Sequence, residues 1–198
     1  MAQTARHTDA VANALFGSLA PGESLYAVLD AARNPEIPIR LKAAGVAHDS
    51  LYQGAAQEEL WFVAPYLVRC ERNSDLVSWL MESGWGQSWG IFVATTVDLG
   101  SLRQHFRRFV LVKVEGAEAD SYFRFYDPRV LRVFLPTCTP DEALEFFGPI
   151  RAYLMEERQS GSAAKFTASA EGVAREALAL HAGADSSVRP RRDAWANE

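Results

Sequence analysis

Apolar positions along the chain switch repeatedly between helical and strand spacing. Val11, Leu15 and Leu19 share one face of a helix predicted from Asp9 to about Leu19, with Thr8 as cap and Ala20-Pro21-Gly22 as its end. Leu25–Leu29 is an unbroken apolar run closed by Asp30, as expected of a strand buried on both faces. Asn34-Pro35-Glu36-Ile37-Pro38 reads as loop because of its prolines, and Gly45 to Ser50 as irregular. Trp61 to Cys70 reads as a strand in which Pro65 must mark an edge, a bulge or the beginning.

Ser74-Asp75 opens a helix through Glu82, with Leu76, Val77 and Leu80 inward and Gly84 as C-cap. Trp89 to Thr95 is the next strand, and Asp98 to about Arg108 the next helix. That helix runs into the strand Phe109–Val114. A turn over Gly116–Asp120 then gives an antiparallel return, Tyr122–Tyr126. Two helices follow, Pro128–Leu135 and Pro140–Phe147. The second has Thr139 as N-cap, acidic Asp141 and Glu142 in its first turn and Gly148 at its end. From Gln159 onward Ala, Gly, Ser and charge dominate, which leaves a weak Ala-rich helix from Ser169 to about His181 and a disordered end, SSVRPRRDAWANE.

This order predicts a mixed α/β (α+β) domain. Its central mixed sheet has about five strands, ends in an antiparallel hairpin and is flanked by helices, with a helical or disordered C-terminal tail. The chain divides into an N-terminal helix and linker (1–22), a folded domain (23–158) and an Ala/Gly/Ser-rich tail (159–198). No glycine-rich phosphate loop and no internal repeat interrupts it.

Composition narrows the function classes. With 48% hydrophobic and 23% charged residues over 198 positions, the chain can bury an ordinary globular core. Its net charge of −5 gives no long-range attraction to nucleic acid or an anionic membrane, so neither is expected as a partner. No apolar run reaches membrane-spanning length, and the N-terminus does not read as a signal peptide, which points to the cytoplasm. The two cysteines, Cys70 and Cys138, lack metal-ligand spacing and the histidines are scattered. No metal site and no cofactor are expected.

Three clusters could carry chemistry. In Tyr122-Phe123-Arg124-Phe125-Tyr126-Asp127-Pro128-Arg129, Arg124, Asp127 and Arg129 could bind phosphate or relay protons with His105, as a hydrolase would need. The structural alternative is commoner. Asp127 and Pro128 supply a helix N-cap and N1 residue in register, and Arg124, opposite Phe123 and Phe125, can pair with a carboxylate such as Asp30. The second cluster is the basic face of Arg103, Arg107 and Arg108, read as solvated or as a contact for an acidic protein partner rather than for nucleic acid. The third is Trp85-Gly86-Gln87-Ser88-Trp89-Gly90, where Trp85 and Trp89 are either partner anchors on a protruding loop or core residues. No serine-nucleophile context occurs, so no catalytic residue is assigned.

The ordered motifs LYAVLDAA, SLYQG, VAPYLVRC, LRQHFRRF, FRFYDPRVLRVFLPT and FFGPI, spread over Leu25 to Ile150, resemble one family, called domain of unknown function 4123. The resemblance implies a non-enzymatic adaptor chaperone of bacterial type VI secretion, which binds a cognate toxic effector in the cytoplasm and helps load it onto the VgrG spike. On this chain the signature positions are Asp30, Arg124, Asp127, Pro128 and Arg129, with His105 in a Leu-x-x-His helix, and the family pattern gives them no catalytic role.

Overall fold

The structure, a computed structural model, describes residues 2–112, 121–157 and 162–180. Among these residues are seven α-helices and one seven-stranded sheet, the mixed α+β class that the patterning predicts. The chain runs α1 (Ala2–Gly17), β1 (Ser24–Asp30), α2 (Glu36–Ala44), β2 (His48–Ser50), α3 (Ala55–Glu59), β3 (Pro65–Cys70) and α4 (Asp75–Trp79). It continues with a π-helical turn (Leu80–Gly84), β4 (Gly90–Thr95), α5 (Leu99–Val110), β5 (Leu111–Val112) and β6 (Ser121–Tyr122). The last elements are α6 (Pro128–Phe134), α7 (Pro140–Phe147), β7 (Ile150–Glu156), β8 (Ser162–Ser169) and β9 (Gly172–Ala179).

The main sheet has the order β2-β3-β1-β4-β7-β8-β9, and every neighbouring pair is antiparallel, so it is larger and more uniform than the mixed sheet expected. Register aligns Tyr26, Val93, Tyr153 and Phe166 across four strands. Tyr153 from this row packs against Phe106 of α5 and Phe146 and Phe147 of α7. In the adjacent row Phe92 meets Trp85, and Leu29 lines a small cleft with Leu80, Trp85 and Trp89. Helices therefore cover both faces. This is why β1 is buried along nearly its whole length and carries no polar side.

Several expectations change. The prolines at 35 and 38 do not make a loop. Pro35 sits at the N-cap of α2 and Pro38 in its first turn, where a missing N–H leaves nothing unsatisfied, while Ile37 and Leu41 bury the inner face. The 45–50 stretch yields the short edge strand β2. Among the described residues the hairpin after α5 pairs Leu111–Val112 with Ser121–Tyr122, in a separate two-stranded sheet. The strand expected over Tyr122–Tyr126 stops at Tyr122, because the chain turns so that Asp127 N–H donates to the Arg124 carbonyl. Residues 113–120, including the expected turn, lie outside the described residues.

The Ala-rich helix expected from Ser169 is instead strand. β8 and β9 form a hairpin that adds to β7, with Lys165 opposite Glu176 and their charges 2.9 Å apart. β9 itself stays largely exposed, so it is pairing with β8 along its whole length, from Ser169↔Gly172 to Ser162↔Ala179, that outweighs the helix preference of alanine. The end expected to be disordered, 186–198, lies outside the described residues. Strand β7, nearly all buried, is absent from the elements that patterning predicts.

Candidate functional site

The signature charges meet at one seam, where the end of β1 faces the start of α6. Asp127 caps α6. Its Oδ1 accepts from the Arg129 backbone N–H at 3.0 Å, and Pro128 follows at the first helical position. The same carboxylate is gripped by the Arg129 fork, Nε to Oδ1 at 2.9 Å and Nη2 to Oδ2 at 2.6 Å. Arg33 Nη2 adds a fourth bond, 3.0 Å to Oδ2. Asp127 is only 2% exposed, so these donors replace the water it loses.

Asp30 is the second carboxylate, 1% exposed at the end of β1. Its Oδ2 accepts from Arg124 Nη2 at 2.6 Å, and its Oδ1 from the Ala32 backbone N–H at 3.0 Å. The Arg124–Asp30 pair is the one anticipated from the sequence. Its hydrogen bond and charge hold the Arg124 guanidinium above its ordinary pKa, against a burial effect that lowers it. Arg33 joins the two carboxylates, with Nε 4.0 Å from Asp30 Oδ2. That Nε is buried and makes no hydrogen bond. The Tyr126 hydroxyl, beside Tyr52, is pushed well up in pKa, chiefly by burial.

This arrangement ties β1, the loop after it, the 122–126 segment and α6 together. Two buried carboxylates carry three arginines, and every carboxylate oxygen is already engaged. Arg33 appears in none of the motifs, and Tyr52 appears only within SLYQG and not as a site candidate. The signal for Arg33 is its place three residues after Asp30, just beyond a strand end.

His105 does not join the seam. Its Nε2 lies 2.9 Å from the Phe146 carbonyl, so that nitrogen carries the proton, and its ring packs on Phe106 and Phe109. Burial holds its pKa below the ordinary histidine value. Gly148, at φ +49°, lies against the ring so closely that an added Cβ would come 2.4 Å from Cε1.

The basic face of α5 is largely internal rather than solvated. Arg103 pairs with Asp49 at 2.9 Å and donates to the Ser50 carbonyl at 2.9 Å. Arg107 donates to the Tyr52 carbonyl at 2.9 Å, so both arginines pin the 49–57 segment onto the helix. Arg108 alone is exposed, 3.5 Å from Glu145.

The tryptophan turn is not a protruding anchor. Trp89 is 9% exposed and packs 4.9 Å from Trp79, and Trp85 is half-buried against Phe92. Glu156, at the end of β7, fastens the turn. Its carboxylate accepts from Gly86 N–H at 2.6 Å, Ser88 N–H at 2.9 Å and the Ser88 hydroxyl at 3.2 Å. Burial raises its pKa against the pull of these donors. Arg132 of α6 donates to the Glu156 backbone carbonyl, which links the turn to the helix that Asp127 starts.

Among the described residues no cluster of three His, Cys, Asp or Glu side chains could hold a metal, and no helix is long and apolar enough to cross a membrane. Cys70 and Cys138 are free, and burial pushes the Cys70 thiol up to about 12.

Compared with known proteins, residues 25–145 match the family described as Domain of unknown function (DUF4123). The match spans every member of the seam, from Asp30 to Arg129. No curated protein and no solved structure matches the chain.

Proposed function

The chain belongs to the family described as Domain of unknown function (DUF4123), and from that membership we propose that it is a non-enzymatic adaptor chaperone of a type VI secretion system. It binds one toxic effector in the cytoplasm and helps load it onto the VgrG spike. The observation that carries this reading is the family match over 25–145, which takes in every ordered motif but FFGPI, with the signature charges spent on structure. Asp30 and Asp127 accept bonds at every oxygen and present no free base, and the His105 Nε2 proton is committed to a carbonyl. The hydrolase reading through Arg124, Asp127 and His105 therefore has little geometry in its favour.

The test is co-expression with the toxin encoded beside its gene and with the cognate VgrG, followed by size-exclusion chromatography. A complex of the chain with the toxin supports the proposal, together with loss of toxin delivery when the gene is deleted. Full toxin delivery from the deletion strain, or turnover of an ester or phosphoester substrate that Asp127→Asn abolishes without unfolding, refutes it.

A further inference from the structure

The segment that supplies Arg124 to the seam builds a second feature on its other side. Phe123 leaves Arg124 and packs 4.8 Å from Phe134 of α6, and Phe134 lies 5.2 Å from Phe146 of α7. Phe109, at the end of α5, closes the set 5.0 Å from Phe146. These four rings line a groove of about 320 Å³. Three of them, Phe109, Phe123 and Phe134, are only half-buried, so among the described residues the groove floor is partly exposed aromatic surface.

The charged lining is acidic. Glu142 and Glu145 of α7 form one rim, and Asp141 precedes them on the same helix. Arg108 is a basic residue at this edge, its guanidinium 5.2 Å over the Phe109 ring and 3.5 Å from Glu145, with both charged side chains more than half exposed. A small-molecule site normally adds a few converging donors and acceptors that fix a ligand's orientation. Here only carboxylates at the rim could do so, and that of Glu142 already accepts from the Thr139 N–H and hydroxyl. An apolar floor with a predominantly acidic rim is instead the layout that receives an amphipathic helix, apolar face down and opposite charge along its edge.

We propose that this groove is a docking site for an amphipathic helical segment whose apolar face is bordered by lysine or arginine. On the adaptor reading given above, on which this assignment of an owner rests, the segment belongs to the client. The signature motif then has two structural outputs. Arg124, Asp127 and Arg129 fix the start of α6, and α6 in turn sets Phe134 opposite Phe123 and Phe146.

The experiment uses the full chain and a dye-labelled synthetic leucine–lysine amphipathic helix, with a leucine–glutamate helix of the same length as counterpart. Fluorescence anisotropy should show binding of the lysine peptide, with the glutamate peptide weaker by about tenfold or more. Glu145→Arg should weaken the lysine peptide about tenfold without changing the thermal midpoint, because Glu145 is 70% exposed along its side chain. Peptide-induced NMR shifts should centre on Phe109, Phe123, Phe134 and Phe146. No binding of the lysine peptide, equal binding of both peptides, an unchanged affinity in Glu145→Arg, or shifts centred elsewhere would each overturn the proposal. So would a dimer of the chain that Glu145→Arg dissolves, since the groove would then belong to a second copy.

The two readings fail separately. A client that co-purifies equally with the wild type, Glu145→Arg and a folded Phe134→Gln variant overturns the groove and leaves the adaptor. Peptide binding in the groove with no client complex supports the groove and overturns the adaptor.

Discussion

Replacing Asp127 tests how the seam works. Asp127→Ala removes the cap of α6, a loss of about 1 kcal/mol. It also strips two arginines of their shared carboxylate. Breaking a fully buried pair costs about 3–5 kcal/mol, because the partner is left charged and dry. That full figure does not apply here. The Arg129 side chain is 52% exposed and can turn to water, whereas Arg33 is 26% exposed and already has one unpartnered nitrogen. A further loss of about 1–2 kcal/mol is therefore expected, chiefly from Arg33, for a total of about 2–3 kcal/mol. For a chain of this length that corresponds to a fall in thermal midpoint of roughly 5–10 °C.

Two companion variants separate the contributions. Asp127→Asn keeps a capping oxygen and loses the charge, so it should cost about half as much. Arg129→Ala removes a half-exposed partner and should cost less than about 1 kcal/mol. Urea unfolding followed by tryptophan fluorescence, with circular dichroism as a second probe, gives all three values. The reasoning fails if Asp127→Ala stays within about 0.5 kcal/mol of wild type, the ordinary range for surface changes, or if Arg129→Ala proves the most damaging.

Three other outcomes follow from the geometry. The Glu156 carboxyl, raised from 4.5 by burial, binds its proton more tightly folded than unfolded, so its contribution to stability is complete below about pH 4.5 and is lost as pH rises through the folded value; Glu156→Gln should flatten that part of the pH–stability curve, and identical curves for the two proteins would contradict the assignment. Gly148→Ala forces a side chain into both a positive φ and the His105 ring, so a loss of about 2–4 kcal/mol in urea unfolding is expected, and a neutral variant would refute the contact. Trp89→Ala should cost about 3–5 kcal/mol as a core deletion, and Trp85→Ala clearly less, with a reversed order in thermal melts counting against the assigned burial.

Local chemistry made much of this molecule legible in its sequence. Ser74, Asp98, Asp127 and Thr139 each cap the helix that follows, because a cap is a contact made within three residues and is written in adjacent letters. Thr8, expected as a cap, instead lies inside α1, which begins at Ala2. Leu25–Leu29 announced a strand covered on both faces, and Asp30 at its end was a reasonable partner for an arginine set among aromatic rings. Contacts between distant segments decided the rest. The helix propensity of Gly172–Ala179 yields to pairing with β8, and the prolines at 35 and 38 are harmless only because they fall at the N-cap and in the first turn of α2. Arg103 and Arg107 of α5 look solvated until the 49–57 segment is folded onto them, and the Trp85–Trp89 turn looks free until Glu156, some seventy residues later, accepts its backbone N–H groups. A side chain's chemistry belongs to the sequence. Which distant group it meets, and whether water can still reach it, belongs to the fold.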